Sequence, residues 1–176
     1  CMACVEICPV GIEHVPIINH LRRRLVDQGE LDPQLQSTLE TIYESGNSFG
    51  EPKRKRARWA KELGFEVKDA RKEPVEVLWF VGDYASLDPR NQRVTQALAR
   101  LLHHAGVDFG ILYESERNAG NDVRRAGEEG LFTDLAESNI EAISGCELER
   151  ILTSDPHSFN MIRNEYPSLG GSWPVV

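Results

Sequence analysis

Three cysteines lie within the first nine residues, at Cys1, Cys4 and Cys8, and Pro9 follows the last of them. Their spacing, C-x2-C-x3-C-P, matches the end of the C-x2-C-x2-C-x3-C-P run that holds iron–sulfur clusters in bacterial ferredoxins. In two-cluster ferredoxins the cysteine before the proline binds the other cluster. The spacing therefore predicts that Cys1 and Cys4 bind one [4Fe–4S] cluster and that Cys8 binds a second, with further ligands before Cys1. A zinc knuckle or a chance group of cysteines is the alternative.

The composition indicates a globular protein and limits its partners. The chain has 176 residues, of which 40% are hydrophobic and 27% charged, and its formal net charge of −8 disfavours a nucleic-acid partner. Three of the four cysteines lie in one short run, which is typical of metal or redox use in a reducing compartment. No run approaches the ~20 apolar residues of a membrane helix, and no signal peptide is recognised. We therefore expect a cytoplasmic location.

The first part of the chain is predicted to be mainly helical. Apolar residues recur at helical spacing over 12–27 and 31–43, and a polar segment at 68–74 is predicted to link this part to the next. Residues 46–60 are predicted to form a loop that enters a short basic helix around Trp59. The basic run at 53–56 is either a solvated surface with Trp59 packed beneath it or a docking patch that steers an acidic redox partner.

From residue 75 the pattern changes to alternating strands and helices. Strands are predicted at 75–81, 107–113 and 150–154, and helices at 91–104, at 122–143 and up to residue 165. Their short connections indicate an α/β fold with a three-stranded, mostly parallel sheet. We therefore predict two domains, the C-terminal part of a two-cluster ferredoxin-like domain with connecting helices at 1–70 and an α/β domain at 71–176.

Three loops of the predicted α/β domain contain polar residues that could carry chemistry. Functional loops of a parallel sheet lie beyond the carboxyl ends of its strands. The loops in that position carry Asp83, residues 118–121 and residues 155–158. We therefore expect these three loops to converge on one site.

The chain resembles the iron–sulfur subunits related to heterodisulfide reductase, a family that includes the glycolate oxidase iron–sulfur subunit. The segments that carry the resemblance are residues 1–9, 46–50, 81–85, 124–127, 155–160 and 164–167. The resemblance implies a ferredoxin-like domain with two [4Fe–4S] clusters, followed by a cysteine-rich α/β domain with its own cluster or redox site. It also implies other oxidoreductase subunits as partners, among them a membrane cytochrome b or quinone-reactive subunit, in a respiratory complex at the inner face of the membrane.

The sequence departs from the family pattern where the resemblance would place cysteine ligands, at Asp83, Asn118, Asp155 and Ser158. Three interpretations of the retained pocket stay open. These oxygen donors, with His157, could hold a metal ion or an atypical, partly oxygen-ligated cluster. They could instead form a hydrogen-bond network that fills the cavity and leaves a docking domain without a redox role. Thirdly, Asp83 or Asp155 could be the acid or base of a small-molecule site.

Two functional hypotheses follow from these features. The first is an electron-transfer subunit that passes electrons through [4Fe–4S] clusters to or from a partner subunit of an oxidoreductase complex. The second is a scaffold whose α/β pocket only holds partner subunits together. The sequence assigns no catalytic residue to this chain.

Overall fold

The computed structural model describes residues 3–176, so that Cys1 and Met2 lie outside the described residues. The helices are α1 (Ala3–Glu6), α2 (His14–Asp27), α3 (Pro33–Ser45), α4 (Asp83–Leu87), α5 (Pro89–His104), α6 (Asn121–Ala126), α7 (Glu129–Ser144) and α8 (Pro156–Asn160). The strands are β1 (Lys68–Asp69), β2 (Val75–Trp79), β3 (Phe109–Ile111) and β4 (Leu148–Leu152). Short 3-10 helices lie at Lys53–Lys55, Arg58–Glu62, Tyr113–Ser115 and Tyr166–Leu169. Within residues 3–176, no helix has both the length and the apolar character needed to cross a membrane.

The strands form one parallel sheet in the order β1-β3-β2-β4, which confirms the predicted α/β fold class. The sheet has four strands rather than the three predicted, because the segment at 68–74 contributes β1. Two residues are too few to show a strand periodicity, so the polar composition of this segment predicts only a linker. A Cβ on Gly110 of β3 would lie 2.9 Å from Val75 Cγ1 and 3.0 Å from the Lys68 carbonyl oxygen. The close approach of β1 and β2 to β3 therefore depends on glycine at this position.

Apolar side chains cover both faces of the sheet. Along β2, Leu78 and Trp79 are fully buried on opposite faces, as expected for a parallel strand between two layers. Trp59 is 2% exposed and packs edge-on against Trp79, with ring centroids 5.4 Å apart. Trp59 is thus buried, as the interpretation of the basic run as a solvated surface predicts.

The helix predicted at 122–143 is wrong as a single element, because Gly127 divides it into α6 and α7. Gly127 ends α6 with φ +100°, and the Glu128 side chain then accepts a hydrogen bond from the Leu131 N–H at the start of α7. An isolated glycine is compatible with a helical pattern, so periodicity alone did not reveal the break.

Gly127 also fixes the position of α2, a helix that has no buried residue of its own. A Cβ on Gly127 would lie 2.6 Å from the Arg22 carbonyl carbon and 2.7 Å from the Arg23 nitrogen. Arg22 donates to the Arg125 carbonyl at 2.7 Å, and Arg23 pairs with Glu129 at 2.7 Å. The helix α2, which follows the cysteine segment (residues 1–9), therefore packs with its backbone against the backbone of the α/β part.

We expect Gly127→Ala to release α2. Gly106 provides the matched control, because it has φ +71° and no heavy atom within 4 Å of an added Cβ. Both variants incur a backbone strain of about 1–2 kcal/mol, but only Gly127→Ala adds an overlap that costs about 1–3 kcal/mol. Urea unfolding measures the difference, and trypsin cleavage at the arginine run 22–24 reports the release of α2. Equal cleavage rates in the two variants would contradict this attachment.

Arg71 fastens the end of β1. Its Nε and one terminal nitrogen donate to the Asp69 carboxylate at 2.7 and 2.6 Å, and the other terminal nitrogen donates to Glu114 at 2.8 Å. The Arg71 guanidinium lowers the pKa of Asp69 from 3.8 to about 2. Because the pKa of Asp69 is lowered on folding, its contribution to stability is present above pH 3.8 and is lost as the pH falls towards 2.

We expect Asp69→Asn to lower the free energy of unfolding by about 1 kcal/mol at neutral pH, a value reduced for solvent screening at this partly open site. Well below a pH of about 2, where Asp69 itself is protonated, the wild type and the variant should unfold alike. Thermal unfolding of both proteins across this pH range is the measurement. A difference that persists unchanged in acid would rule out the ion pair as its cause.

Candidate functional site

The cysteine segment contains two free thiols among the described residues. Cys4 is exposed in α1, and Cys8 is half-buried just after that helix. Two backbone N–H groups, foremost that of Ile12, and the His14 side chain lower the pKa of Cys8 to about 7. The thiolate is the form that binds metals, so the donor chemistry of Cys8 fits an iron–sulfur ligand. Cys1, the third predicted ligand, lies outside the described residues.

A second candidate site lies at the carboxyl ends of the strands, where the three predicted loops meet in a small pocket of about 60 Å³. This volume holds only a few water molecules. Its lining includes Ser48, Asp83, Asn118, Asp155, His157 and Ser158. All five residues predicted as metal ligands in the α/β domain thus line one pocket, together with Ser48 from the loop after α3.

Asp83, at the first position of α4, is 7% exposed and accepts four hydrogen bonds. Its Oδ2 accepts from the Ser48 N–H at 2.9 Å, the Ser48 hydroxyl at 3.1 Å and the Asn118 amide at 2.7 Å. Its Oδ1 accepts from the guanidinium of Arg56 at 2.5 Å. Asn118 also donates to the Ser48 hydroxyl at 2.9 Å, which closes the network.

Arg56 joins Asp83 to a second buried carboxylate, that of Glu116. The Arg56 side chain is 5% exposed and donates to Glu116 Oε1 at 2.8 Å. The N–H groups of Val81 and Gly82 each donate to Glu116 at 2.9 Å. Burial raises the pKa of Glu116, and the Arg56 charge together with these N–H groups opposes that rise. The polar centre, defined as Arg56, Asp83 and Glu116, therefore contains one cation between two carboxylates.

Asp155 and Ser158 form a separate, local set of hydrogen bonds. Asp155 caps α8 by accepting from the N–H groups of His157 and Ser158 at 3.1 and 3.0 Å, and the Ser158 hydroxyl donates to it at 2.6 Å. A Cβ on Gly82 would lie 3.6 Å from both Asp155 Oδ2 and Ser158 Oγ. The loop after β4 thus lies directly against the loop after β2.

The donors in this pocket do not fit a thiolate-bound iron–sulfur cluster. No cysteine appears among the described residues that line it. The oxygens of Asp83 already accept four hydrogen bonds, and the adjacent guanidinium of Arg56 disfavours a second cation by charge repulsion. Over residues 3–176, no three His, Cys, Asp or Glu side chains lie close enough to hold a metal ion. The metal-ligand role of the five pocket residues stays a prediction, and the geometry favours a hydrogen-bond network.

Comparison with known proteins identifies the α/β part. Residues 77–163 match the family described as "Cysteine-rich domain". By similarity to that family, this segment is here called the cysteine-rich domain. The chain is 40% identical, over 97% of its length, to a probable iron–sulfur-binding oxidoreductase of Bacillus subtilis. It is also similar to an EtfAB:quinone oxidoreductase of Syntrophomonas wolfei, with 36% identity over 99% of the chain.

A more distant relative is a subunit of the dihydromethanophenazine:CoB–CoM heterodisulfide reductase of Methanosarcina barkeri. It is 25% identical, and the match covers 97% of this chain and 41% of that relative. The chain spans 25% of the length of the Bacillus and Syntrophomonas relatives. No solved structure matches the chain significantly. The resemblance to iron–sulfur oxidoreductase subunits related to heterodisulfide reductase is thereby confirmed.

Arg56 and Glu116 are the site residues that sequence analysis missed. Arg56 belongs to the basic run that was interpreted as a solvated surface or a docking patch, and its burial corrects that interpretation for this one residue. The spacing of Arg56 and Trp59 gives no helical signal, because Arg56 ends one 3-10 helix and Trp59 lies in the next. Glu116 lies in a loop, and nothing in the sequence around it indicates burial.

Asn139 supports the loop after β3 from beneath. Its amide donates to the Asn118 carbonyl at 3.1 Å and to the Tyr166 hydroxyl at 3.0 Å, and its oxygen accepts from the Arg117 N–H at 2.9 Å. Tyr166 donates to the Ala119 carbonyl at 3.1 Å, and burial raises the pKa of this phenol. The cysteine-rich domain therefore positions Asn118 by contacts that need no cluster.

We expect Arg56→Ala to destabilise the cysteine-rich domain by about 3–5 kcal/mol, because it leaves two buried carboxylates without their cation. Lys55→Ala is the matched control, since Lys55 forms a surface pair with Glu51 and should change stability by less than about 1 kcal/mol. Urea unfolding of the variants gives both values.

A charge-free version of the polar centre distinguishes the electrostatic cause from lost packing. The triple variant Arg56→Met, Asp83→Asn and Glu116→Gln should recover part of the stability lost in Arg56→Ala, because no buried charge remains unpaired. If the triple variant is less stable than Arg56→Ala, the loss comes from packing and lost hydrogen bonds rather than from unpaired charge.

Proposed function

We propose that this chain is part of an iron–sulfur electron-transfer subunit in which Cys1, Cys4 and Cys8 bind [4Fe–4S] clusters. The observation that carries the proposal is the C-x2-C-x3-C-P spacing of these three cysteines, and the lowered pKa of Cys8 agrees with it. The relatives are a probable iron–sulfur-binding oxidoreductase, a quinone oxidoreductase and a reductase subunit, which supports an electron-transfer role. Bound clusters would supply one-electron chemistry, and the chain itself would hold the thiolates and position them against a partner.

The partners in this proposal are other subunits of an oxidoreductase complex. One relative bears the name of a quinone oxidoreductase, and quinones are membrane-soluble. A quinone-reactive or cytochrome b-type subunit would then hold the protein at the inner face of the membrane. The division into a ferredoxin-like part at 1–70 and an α/β part at 71–176 belongs to the same proposal.

A second function concerns the cysteine-rich domain alone, as a docking unit that holds partner subunits together without a metal of its own. The observation that favours it is the polar centre, in which Arg56 occupies the hydrogen-bonding capacity of Asp83 and Glu116. The two functions are compatible, since the first concerns the cysteine segment and the second concerns the pocket.

Iron and sulfide analysis of the full-length protein, isolated without oxygen, tests both functions. Cys8→Ser should lose about four iron atoms per chain, as expected for one cluster. Cys146→Ser is the matched control, because burial raises the pKa of that thiol and an inert thiol is not expected to bind a cluster. The double variant Asp83→Asn and Asp155→Asn should retain all its iron.

The same measurements can contradict each part separately. Iron that is unchanged in Cys8→Ser would refute cluster binding by the cysteine segment. Loss of iron or another metal from the Asp83 and Asp155 variant, with thermal unfolding showing that the variant is folded, would establish a metal in the pocket and end the proposal of a metal-free docking domain.

A further inference from the structure

A second concave surface lies away from both candidate sites. It is a groove of about 610 Å³, here called the basic groove, and it shares no residue with the polar centre or the pocket around it. Its cationic lining consists of Lys53, Arg54 and Lys61, and its apolar lining of Ala57, Ala60, Phe65, Val67 and Tyr113. Gly64, Glu66 and Glu114 complete it.

Contacts with neighbouring residues hold its aromatic walls in place. Phe65 stacks on His103 with ring centroids 3.9 Å apart and planes 7° from parallel. Tyr113 donates from its hydroxyl to the Val67 carbonyl at 2.6 Å. The backbone of Tyr113 has φ +52°, a conformation that costs a non-glycine residue about 1–3 kcal/mol and persists only where the surroundings impose it. The groove is therefore preformed.

The charges of the basic groove are not compensated locally. Lys53, Arg54 and Lys61 are exposed, and none of them lies within ion-pair distance of a carboxylate in the part of the chain that the structure describes. Glu114, one of the two acidic residues of the lining, is already paired with Arg71 at 2.8 Å. The groove thus has an excess of positive charge in a chain whose net charge is −8.

Partial desolvation and the charge of Arg117 lower the pKa of Lys53. A cation that lies close to another cation is stabilised by any anion placed beside it. This side of the groove therefore favours an acidic group independently of the groove's shape.

We propose that the basic groove docks an acidic segment of a partner protein, with an aromatic or aliphatic side chain of that segment on the apolar floor. The cations are exposed at the surface and carried on long side chains, an arrangement that steers a charged protein surface towards contact. A small anion would instead require buried donors that converge on one point, and the three cations of the groove are all exposed. The proposal is independent of cluster binding, because the groove contains no cysteine and adjoins no predicted ligand.

A fluorescent synthetic peptide, rich in Asp and Glu around one central Phe, is the probe. Fluorescence anisotropy with the full-length protein should give saturable binding at 0.15 M salt. Charges farther apart than about 8 Å are screened at that ionic strength, so the binding that remains reports close contacts in the groove. Lys61→Glu should weaken the binding roughly tenfold. Lys55→Glu is the matched control. It makes the same charge change at a residue of the basic run 53–56 that does not line the groove, and it should change binding by less than about twofold.

A peptide with Ser in place of Phe should bind roughly tenfold more weakly, because it cannot use the apolar floor. The absence of saturable binding would overturn the proposal. Equal weakening by Lys61→Glu and Lys55→Glu would overturn it too, because it would indicate a general attraction between opposite charges. Complete displacement of the peptide by inorganic phosphate would assign the groove to a small anion instead. Thermal unfolding verifies that each variant is folded.

Discussion

The burial of Arg56 between Asp83 and Glu116 is the interaction on which the architecture of the site depends. Removing charged groups from water is costly, and a buried cation is tolerated only with close partners of opposite charge. These partners come from two different strand ends, so the charge requirement connects the segment before Trp59 to the loops after β2 and β3. The N–H groups of Ser48, Val81 and Gly82 share the remaining negative charge. Replacing any one of these three charged residues would therefore leave a buried charge without its partner.

This network explains how the pocket can retain its shape where the family resemblance would place cysteines. The loop after β3 is held by Asn139 and Tyr166 from below, and the loop after β4 is held by the capping bonds of Asp155. None of these contacts uses a thiol. Glu165, next to Tyr166, accepts hydrogen bonds from Arg124 and Arg125, so two further segments of the resemblance serve the scaffold. The retained motifs therefore position loops, whatever those loops bind.

Features that depend on residues close together in the sequence were predicted, and features that depend on specific contacts between distant segments were not. The strand β2 and the helices α2, α3 and α5 were predicted because buried runs and apolar periodicity are local properties. The strand β1 was missed because its pairing depends on Gly110 of a distant strand, and the break at Gly127 was missed because glycine also occurs within helices. The three loops of the site were predicted to converge, since the order of strands and helices implies it. Arg56 and Glu116 are buried only because they pair with each other and Arg56 also pairs with Asp83. These residues lie in three different segments, so no single segment predicts their burial.

The contact of α2 with Gly127 separates the geometry of the cysteine segment from the chemistry of the pocket. That contact joins backbone to backbone, with an arginine ion pair on one side of it, and involves no residue of the polar centre. Residues of the polar centre could therefore be replaced without moving α2, the helix that follows Cys8. A cysteine-rich domain without thiolates would still hold the cysteine segment at a fixed position relative to the sheet. In the proposed electron-transfer subunit this fixed position would matter, because bound clusters would carry the redox chemistry and the protein would position them.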